Sequence, residues 1–260
     1  MTLFCPLASG SKGNCTYIGT NHTKILVDAG IPTKHIKKRL EEIHVALEDI
    51  QAILITHEHQ DHIQGLNVLA FKLGIPVIAN YETAKAIAEY FHDCPKFKIF
   101  STSESFEFQD FEIQPFSVKH DAVDPVAFSI KTERHKIGIC TDLGLVTAPV
   151  VHHLQQCDIL HVEANHEPSM VHGSSRPIIY KERVLGPTGH LSNAASGELI
   201  AKVYHPNIQQ IYLAHLSTEC NSEQTAIQVI TTILQSNSIA VELRIAYQEQ
   251  MSRATQLQLF

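Results

Sequence analysis

Within Ile53-Leu54-Ile55-Thr56-His57-Glu58-His59-Gln60-Asp61-His62 a short apolar run opens directly into three histidines and a carboxylate. Imidazole nitrogens combined with a hard carboxylate suit zinc, manganese or iron, and a ligand set without thiolates argues against a closed structural site of four cysteines. The chemistry indicated is an open, hydrolytic metal centre. Ala52 to Ile55 reads as a buried strand. An extended chain points residues i and i+2 the same way, about 6 to 7 Å apart, so His57 and His59 are expected to grip one ion. Asp61 before His62-Ile63-Gln64-Gly65-Leu66 reads as a helix entrance, which throws Asp61 and His62 toward a neighbouring position suited to a second ion.

Such ligands need strands to hold them, and three further strands end in the right residue types. Ile113 to Val118 leads into Lys119-His120-Asp121, Lys136 to Cys140 into Thr141-Asp142-Leu143-Gly144, and Gln210 to Ala214 into His215-Leu216-Ser217. Cys140 lies two residues before Asp142 and is a weak further candidate ligand. The coarse pattern around these strands alternates β and α. Thr16 to Ile18 and Lys24 to Asp28 are predicted to form a hairpin across Gly19-Thr20-Asn21, as are Val126 to Lys131 and Lys136 to Cys140. Strands are expected at Pro76 to Ala79 and Asp158 to Glu163. Helices are expected at Pro32 to Ile43, after His62, at Glu82 to Phe91, at Asn193 to Tyr204 and at Asn221 to Leu234. Two sheets covered outside by helices is the natural packing.

The His-x-His-x-Asp-His segment in its strand-to-loop setting, followed by His120, Asp142 and His215 in that order, resembles the metallo-β-lactamase superfamily. The resemblance implies a four-layer αβ/βα sandwich and two divalent ions, Zn2+ or Mn2+. His57, His59 and His120 would hold one ion, Asp61, His62 and His215 the other, and Asp142 would stand between them. Water trapped there becomes a hydroxide near neutral pH. Branches of the superfamily differ around this core. The penicillin-hydrolysing branch commonly has Cys where Asp142 stands, the glyoxalase branch has a different context at the third histidine, and the diiron flavoprotein branch replaces the second histidine, which is His59 here. Ile159 to Glu167 and Gly189-His190-Leu191-Ser192-Asn193 instead resemble the acidic and His-Ser-Thr motifs of the tRNase Z branch. There Glu163 would orient and charge His190, and His190 would act on the phosphate or the leaving group; Asp61 joins them among the residues assigned to catalysis.

Eight short motifs in order narrow the resemblance to the YycJ/WalJ-like metallo-hydrolases of bacteria. They are Ala8-Ser9-Gly10-Ser11-Lys12-Gly13-Asn14, Asp28-Ala29-Gly30, Thr56-His57-Glu58-His59, His120-Asp121-Ala122, Thr141-Asp142-Leu143-Gly144, Glu163-Ala164-Asn165-His166, Gly189-His190-Leu191-Ser192-Asn193 and Ala214-His215-Leu216-Ser217. The resemblance implies 5′ to 3′ exonuclease action on double-stranded DNA and a link to DNA repair. It also places Ser9, Ser11 and Asn14 beside the site as substrate contacts. The interval between Asp142 and His215 is too short for the inserted domain of the β-CASP ribonucleases. Members of the family usually carry Asp where Glu167 stands, and Ser174 to Tyr180 is idiosyncratic, which leaves substrate preference open.

The remaining composition bounds the answer. A 260-residue chain with 44% hydrophobic residues can bury a full core, and is expected to form one domain over residues 1–260. It has no apolar run near twenty residues and no basic start of a secretory signal, so a cytoplasmic protein without membrane attachment is expected. The six cysteines occur singly, without CxxC pairs, and are expected to be reduced and buried. A net charge of −7 argues against indiscriminate nucleic-acid binding but leaves room for a local groove. Arg176, Lys181 and Arg183 precede Gly189-His190 and are the candidate phosphate contacts. A small-molecule hydrolase of a cyclic nucleotide, lactone or thioester, or a ribonuclease, would use the same metal set. The oligomeric state is not legible.

Overall fold

The computed structural model describes residues 1–258 as two seven-stranded mixed sheets with helices on their outer faces. The first sheet takes β1 (Thr2–Ala8), β2 (Cys15–Gly19), β3 (Lys24–Val27), β4 (Ala52–Leu54), β5 (Val77–Asn80) and β6 (Phe97–Phe100) in chain order, and adds β14 (Thr255–Leu257) beside β1. The second runs from β7 (Phe106–Phe108) through β8 (Phe111–Ser117), β9 (Val126–Lys131), β10 (Lys136–Cys140), β11 (Ile159–Glu163) and β12 (Gln210–Ala214) to β13 (Leu243–Ile245). Both expected hairpins form, β2 on β3 and β9 on β10, each antiparallel. β3-β4-β5-β6 and β10-β11-β12-β13 pair in parallel.

Side-chain alternation explains the layering. On β12, Tyr212 and Ala214 enter the layer between the sheets with Phe4, Ile25 and Phe128, while Ile211 and Leu213 turn outward. The outward side is covered by α5 (Ala148–Leu154), α8 (Asn193–Val203) and α9 (Glu223–Ser236), which bury Leu154, Leu199, Ile200 and Ile230 against it. On the first sheet, α1 (Thr33–Glu42) and α4 (Tyr81–Phe91) do the same through Ile36, Leu40 and Ile87. Each fully buried Leu, Ile or Phe is worth about 1.5 to 3 kcal/mol, so these three apolar layers hold the sandwich together. The four-layer αβ/βα architecture is the expected one.

The departures from expectation are local. β4 stops at Leu54, before Ile55, and the helix after the metal motif starts earlier than read: α2 covers Gln60–Ile63 and α3 Leu66–Leu69. Between β11 and α8 stand α6 (Pro168–Gly173) and α7 (Ile178–Leu185), which no pattern had indicated. Prolines at Pro168 and Pro177 mark their starts, since proline fits an N-terminal helical turn without losing a hydrogen bond. All six cysteines are free, and Cys94 is exposed where a buried thiol was expected. Cys140 is packed in the outer core against α5 and α8, away from the metal residues, because it faces opposite to the inter-sheet layer. Among the described residues no helix is long and apolar enough to cross a membrane.

Candidate metal centre and active site

The site residues sit where strands of both sheets end. His57 and His59 follow β4 in an irregular stretch rather than on the strand itself, with His59 at the N-cap of α2 and Asp61 and His62 in its turn. From the second sheet come His120 after β8, Asp142 after β10 and His215 after β12. Three positions adopt left-handed backbone: Asp28 (φ 61°), Asp142 (φ 57°) and His215 (φ 54°). Such conformations cost a non-glycine residue about 1 to 3 kcal/mol and persist only where surrounding bonds hold them. For His215 those bonds are visible. Its N–H donates to Ser9 Oγ at 2.9 Å and its carbonyl accepts from Asn165 Nδ2 at 2.8 Å.

Four of the five histidines are tied back through Nδ1. His62 Nδ1 donates to Asp28 Oδ2 at 2.8 Å, His215 Nδ1 to Glu163 Oε1 at 3.0 Å, and His120 Nδ1 to the Gly189 carbonyl at 3.1 Å. Thr56 Oγ1 gives its proton to Asp28 and so accepts from His57 Nδ1 at 3.0 Å. Each acceptor fixes the proton on Nδ1 and leaves the Nε2 lone pair facing the centre, the arrangement a metal-ligating imidazole requires. His62 Nε2 lies 3.3 Å from Asp142 Oδ2, while His215 and His120 Nε2 stand 3.5 and 3.8 Å from Oδ1 of the same carboxylate. His57, His59 and His120 form one group with ligand atoms within 4.8 Å of one another; Asp61, His62 and His215 form a second, and Asp142 joins His57 and His62 in a third.

The residues fit a pair of divalent ions on two grounds. The buried Nε2 atoms of His57 and His215 and Oδ2 of Asp142 have no hydrogen-bond partner among the described residues, and native interiors rarely leave such atoms unmatched. Asp28, Asp61, Asp142 and Glu163 also bring four carboxylates together, a charge that two divalent cations balance. In the protein alone, protons answer that charge. Burial disfavours an imidazolium at His215, yet Asp142, Asp61 and Glu163 raise it to about 10. Burial likewise opposes ionised Asp142, but His215, His62 and His57 hold its carboxyl well below the usual range. Burial, with His62 beside it, pushes His57 well below its ordinary value, so it stays neutral.

His190 stands at the wall of the same centre, 3.7 Å from Asp142 Oδ1, and its Nδ1 donates to Glu163 Oε1 at 2.8 Å. Glu163 is fully buried at the end of β11 and does more than the sequence indicated. Its Oε2 accepts from the backbone N–H groups of Leu143 (2.9 Å) and Leu191 (3.1 Å), and Oε1 serves His190 and His215 together. Burial would raise its carboxyl, but the two histidines bring it down to about 2. Gly30 is required by the opposite wall, where a Cβ would lie 1.6 Å from the Asp61 carbonyl.

A family model for the beta-lactamase superfamily domain matches residues 23–216. The exodeoxyribonuclease YycJ of Bacillus anthracis is 35% identical over 241 residues, 92% of this chain and 91% of that protein. The chain belongs to the YycJ/WalJ family of the beta-lactamase superfamily. The exodeoxyribonuclease WalJ of Streptococcus pneumoniae (strain D39) is 38% identical over 224 residues, covering 85% of this chain and 83% of that one. At the level of fold, the metallo-beta-lactamase fold protein YhfI from Bacillus subtilis superposes with a TM-score of 0.72 at 16% identity, covering 96% and 98% of the two chains.

Over the metal centre this YycJ/WalJ-type chain opens a cleft of about 320 Å³, lined by His59, Asp61, His120, Asp142, His190 and His215 and rimmed by Ser11, Arg176, Tyr180 and Arg183. The substrate contacts expected from sequence divide at this point. Ser11, Arg176 and Arg183 reach the cleft. Ser9 and Asn14 do not: both are buried, Ser9 behind His215 and Asn14 bonded to Gly10, with its Nδ2 at 3.0 Å from His62 Nε2. They brace the ligands because the chain doubles back under the site after β1. Lys181 turns away and donates to the His172 carbonyl at 2.7 Å. On α7 the cleft-facing positions are Tyr180, Arg183 and Val184, spaced three and four apart, and residue 181 falls off that face. Arg176 is paired with Glu219 and Arg183 with Asp121, at 2.5 Å for the latter. Glu167 caps α6 outside the cleft. Asp28, which orients His62, and Thr56, which orients His57, stand in the motifs Asp28-Ala29-Gly30 and Thr56-His57-Glu58-His59, whose spacing alone gives neither residue a task.

Proposed function

We propose that this chain is a two-metal phosphodiesterase that degrades duplex DNA from the 5′ end. The observation that carries the reading is the His190–Glu163 pair set beside a seven-residue ligand cluster, with the His190 ring 18% exposed to the cleft. It agrees with relatives named exodeoxyribonucleases. His57, His59 and His120 would hold one divalent ion, Asp61, His62 and His215 the other, and Asp142 both; zinc and manganese each accept such a set. When bound, the pair supplies Lewis acidity toward the phosphate and an activated water. Glu163 fixes the His190 ring through Nδ1, which leaves Nε2 as the atom that would act on a phosphate oxygen or on the departing alkoxide. Asp61, partly exposed, lines the cleft beside His62 and His215 and would share in the catalysis there. Arg176 and Arg183 would hold flanking phosphates. The chain would work as one domain, in the cytoplasm, where unpaired cysteines such as the buried Cys140 and Cys157 stay reduced, and in DNA repair.

Metal-supplemented hydrolysis of duplex DNA, single-stranded DNA, RNA and a small phosphodiester, run beside metal analysis of Asp142→Ala, tests this. Duplex DNA should be preferred and shortened from the 5′ end, and the variant should lose one or both ions. Turnover of the small substrate alone would favour the small-molecule reading that a 320 Å³ cleft also admits, and preference for RNA would make it a ribonuclease.

A further inference from the structure

The segment Ser174 to Tyr180, idiosyncratic in sequence, contributes an aromatic ring to the cleft that the phosphodiester chemistry leaves without a task. Tyr180 lines the same cavity as Asp142 and His190. It is half-buried and packs against the small apolar cluster of Val171, Val184 and Cys220. The Arg176 guanidinium lies over the ring, 5.2 Å from its centroid, and is itself locked by two bonds to Glu219. A ring pinned in this way loses little freedom when a partner packs on the part of it that lines the cleft.

The size of the cavity says what meets that surface. At about 320 Å³ it lies at the small end of ligand pockets, roughly 300 to 1,000 Å³, enough for one nucleotide unit and not for a double helix. A strand end that enters singly, with its base out of the stack, fits that space. Aromatic side chains recognise such bases by stacking, without sequence preference. Three residues after Tyr180, Arg183 lines the same cleft and would hold the adjoining phosphate.

We propose that Tyr180, braced by Arg176, is the platform on which the base next to the scissile phosphate stacks, so that the enzyme requires an intact base there but does not read which base it is. The proposal rests on the nuclease reading above. Its test uses the metal-loaded full chain and duplex oligonucleotides carrying each base, or a stable abasic residue, at the first two positions of the cleaved strand. A lost stack is expected to lower kcat/KM by roughly 5- to 100-fold. The abasic substrate should show that loss with the wild type. Tyr180→Leu should show it on intact strands, mainly through KM, with no further loss on the abasic one; Tyr180→Phe should restore wild-type behaviour. Losses that multiply, or a wild-type chain indifferent to the missing base at both positions, overturn the proposal. The abasic comparison needs only the wild type, so it decides even if the leucine variant folds poorly. Failure to cut any oligonucleotide removes the nuclease reading and this proposal together, whereas cutting without base dependence removes this proposal alone.

Discussion

Replacing Glu163 by glutamine should be among the most damaging single-atom changes available to this chain, well beyond the loss of a charge next to His190. The carboxylate is fully buried and accepts four hydrogen bonds, from His190 Nδ1, His215 Nδ1, Leu143 N and Leu191 N. A glutamine retains one acceptor oxygen and turns an NH2 group toward donors, so whichever way it is placed at least one oxygen's partners are opposed. Two routes give the size. At about 1.4 kcal/mol per tenfold change in proton affinity, a carboxyl held at about 2 rather than 4.5 contributes about 3 kcal/mol to the folded state. Leaving buried charged partners unpaired costs about 3 to 5 kcal/mol. For a chain of this size about 3 kcal/mol corresponds to a fall in Tm of roughly 6 to 12 °C. Because His215 loses the group that orients it, metal affinity should also fall, by about 10- to 100-fold. The sign with pH follows from the depressed carboxyl. In metal-free protein the contribution is complete above about pH 4.5 and disappears as pH falls toward about 2, so the wild type should converge on the variant in acid. Thermal melts in chelator at pH 7 and pH 3, with a metal titration, measure all of this. A variant that melts within a degree of the wild type at pH 7 and keeps its full metal content would refute the reasoning, and would reduce Glu163 to an electrostatic partner of His190.

Two other outcomes follow from the geometry. His190→Ala leaves the His215–Glu163 bond in place, so it should retain metal and the native fold while losing about 100-fold or more in turnover; loss of metal would make His190 a ligand. Removing Arg176 and Arg183 together by glutamine substitution should flatten the slope of log affinity for duplex DNA against log salt by up to about 2, at about 0.9 per phosphate contact, whereas Lys181→Gln should leave it unchanged because that side chain turns to the His172 carbonyl.

The candidate metal residues could be picked out in the sequence because they come after strands with a strong apolar pattern: His57 after β4, His120 after β8, Asp142 after β10 and His215 after β12. Asp28, Thr56, Ser9 and Asn14 were harder. Their task is set by a partner far away in the chain, Asp28 with His62 and Ser9 with His215, and no local spacing encodes such a pairing. The short elements were lost for a different reason. β6, β7, β13 and β14 have three or four residues each and are only partly buried, so they lack the continuous apolar run that marks the equally short β3, β4 and β5. The wall formed by α6 and α7 was hidden because its helices run only 6 and 8 residues, and the one clear sign was a proline at each start. That omission misplaced Lys181, since a helical phase was needed to see that only its neighbours face the cleft.

The division of the metal residues between the sheets bears on how the molecule is made. His57, His59, Asp61 and His62 leave the ribosome with the first sheet, whereas His120, Asp142 and His215 belong to the second, and β14, the last described strand, returns to pair with β1. Chains are synthesised from the amino terminus at about 5 to 20 residues per second, so for many seconds the early histidines exist without the residues that complete either ion's shell. The full ligand set of the metal centre exists only once the second sheet has been made. The inter-sheet layer of Phe4, Ile25, Phe128 and Tyr212 joins the two halves, so the complete centre forms when the second half has arrived and docked.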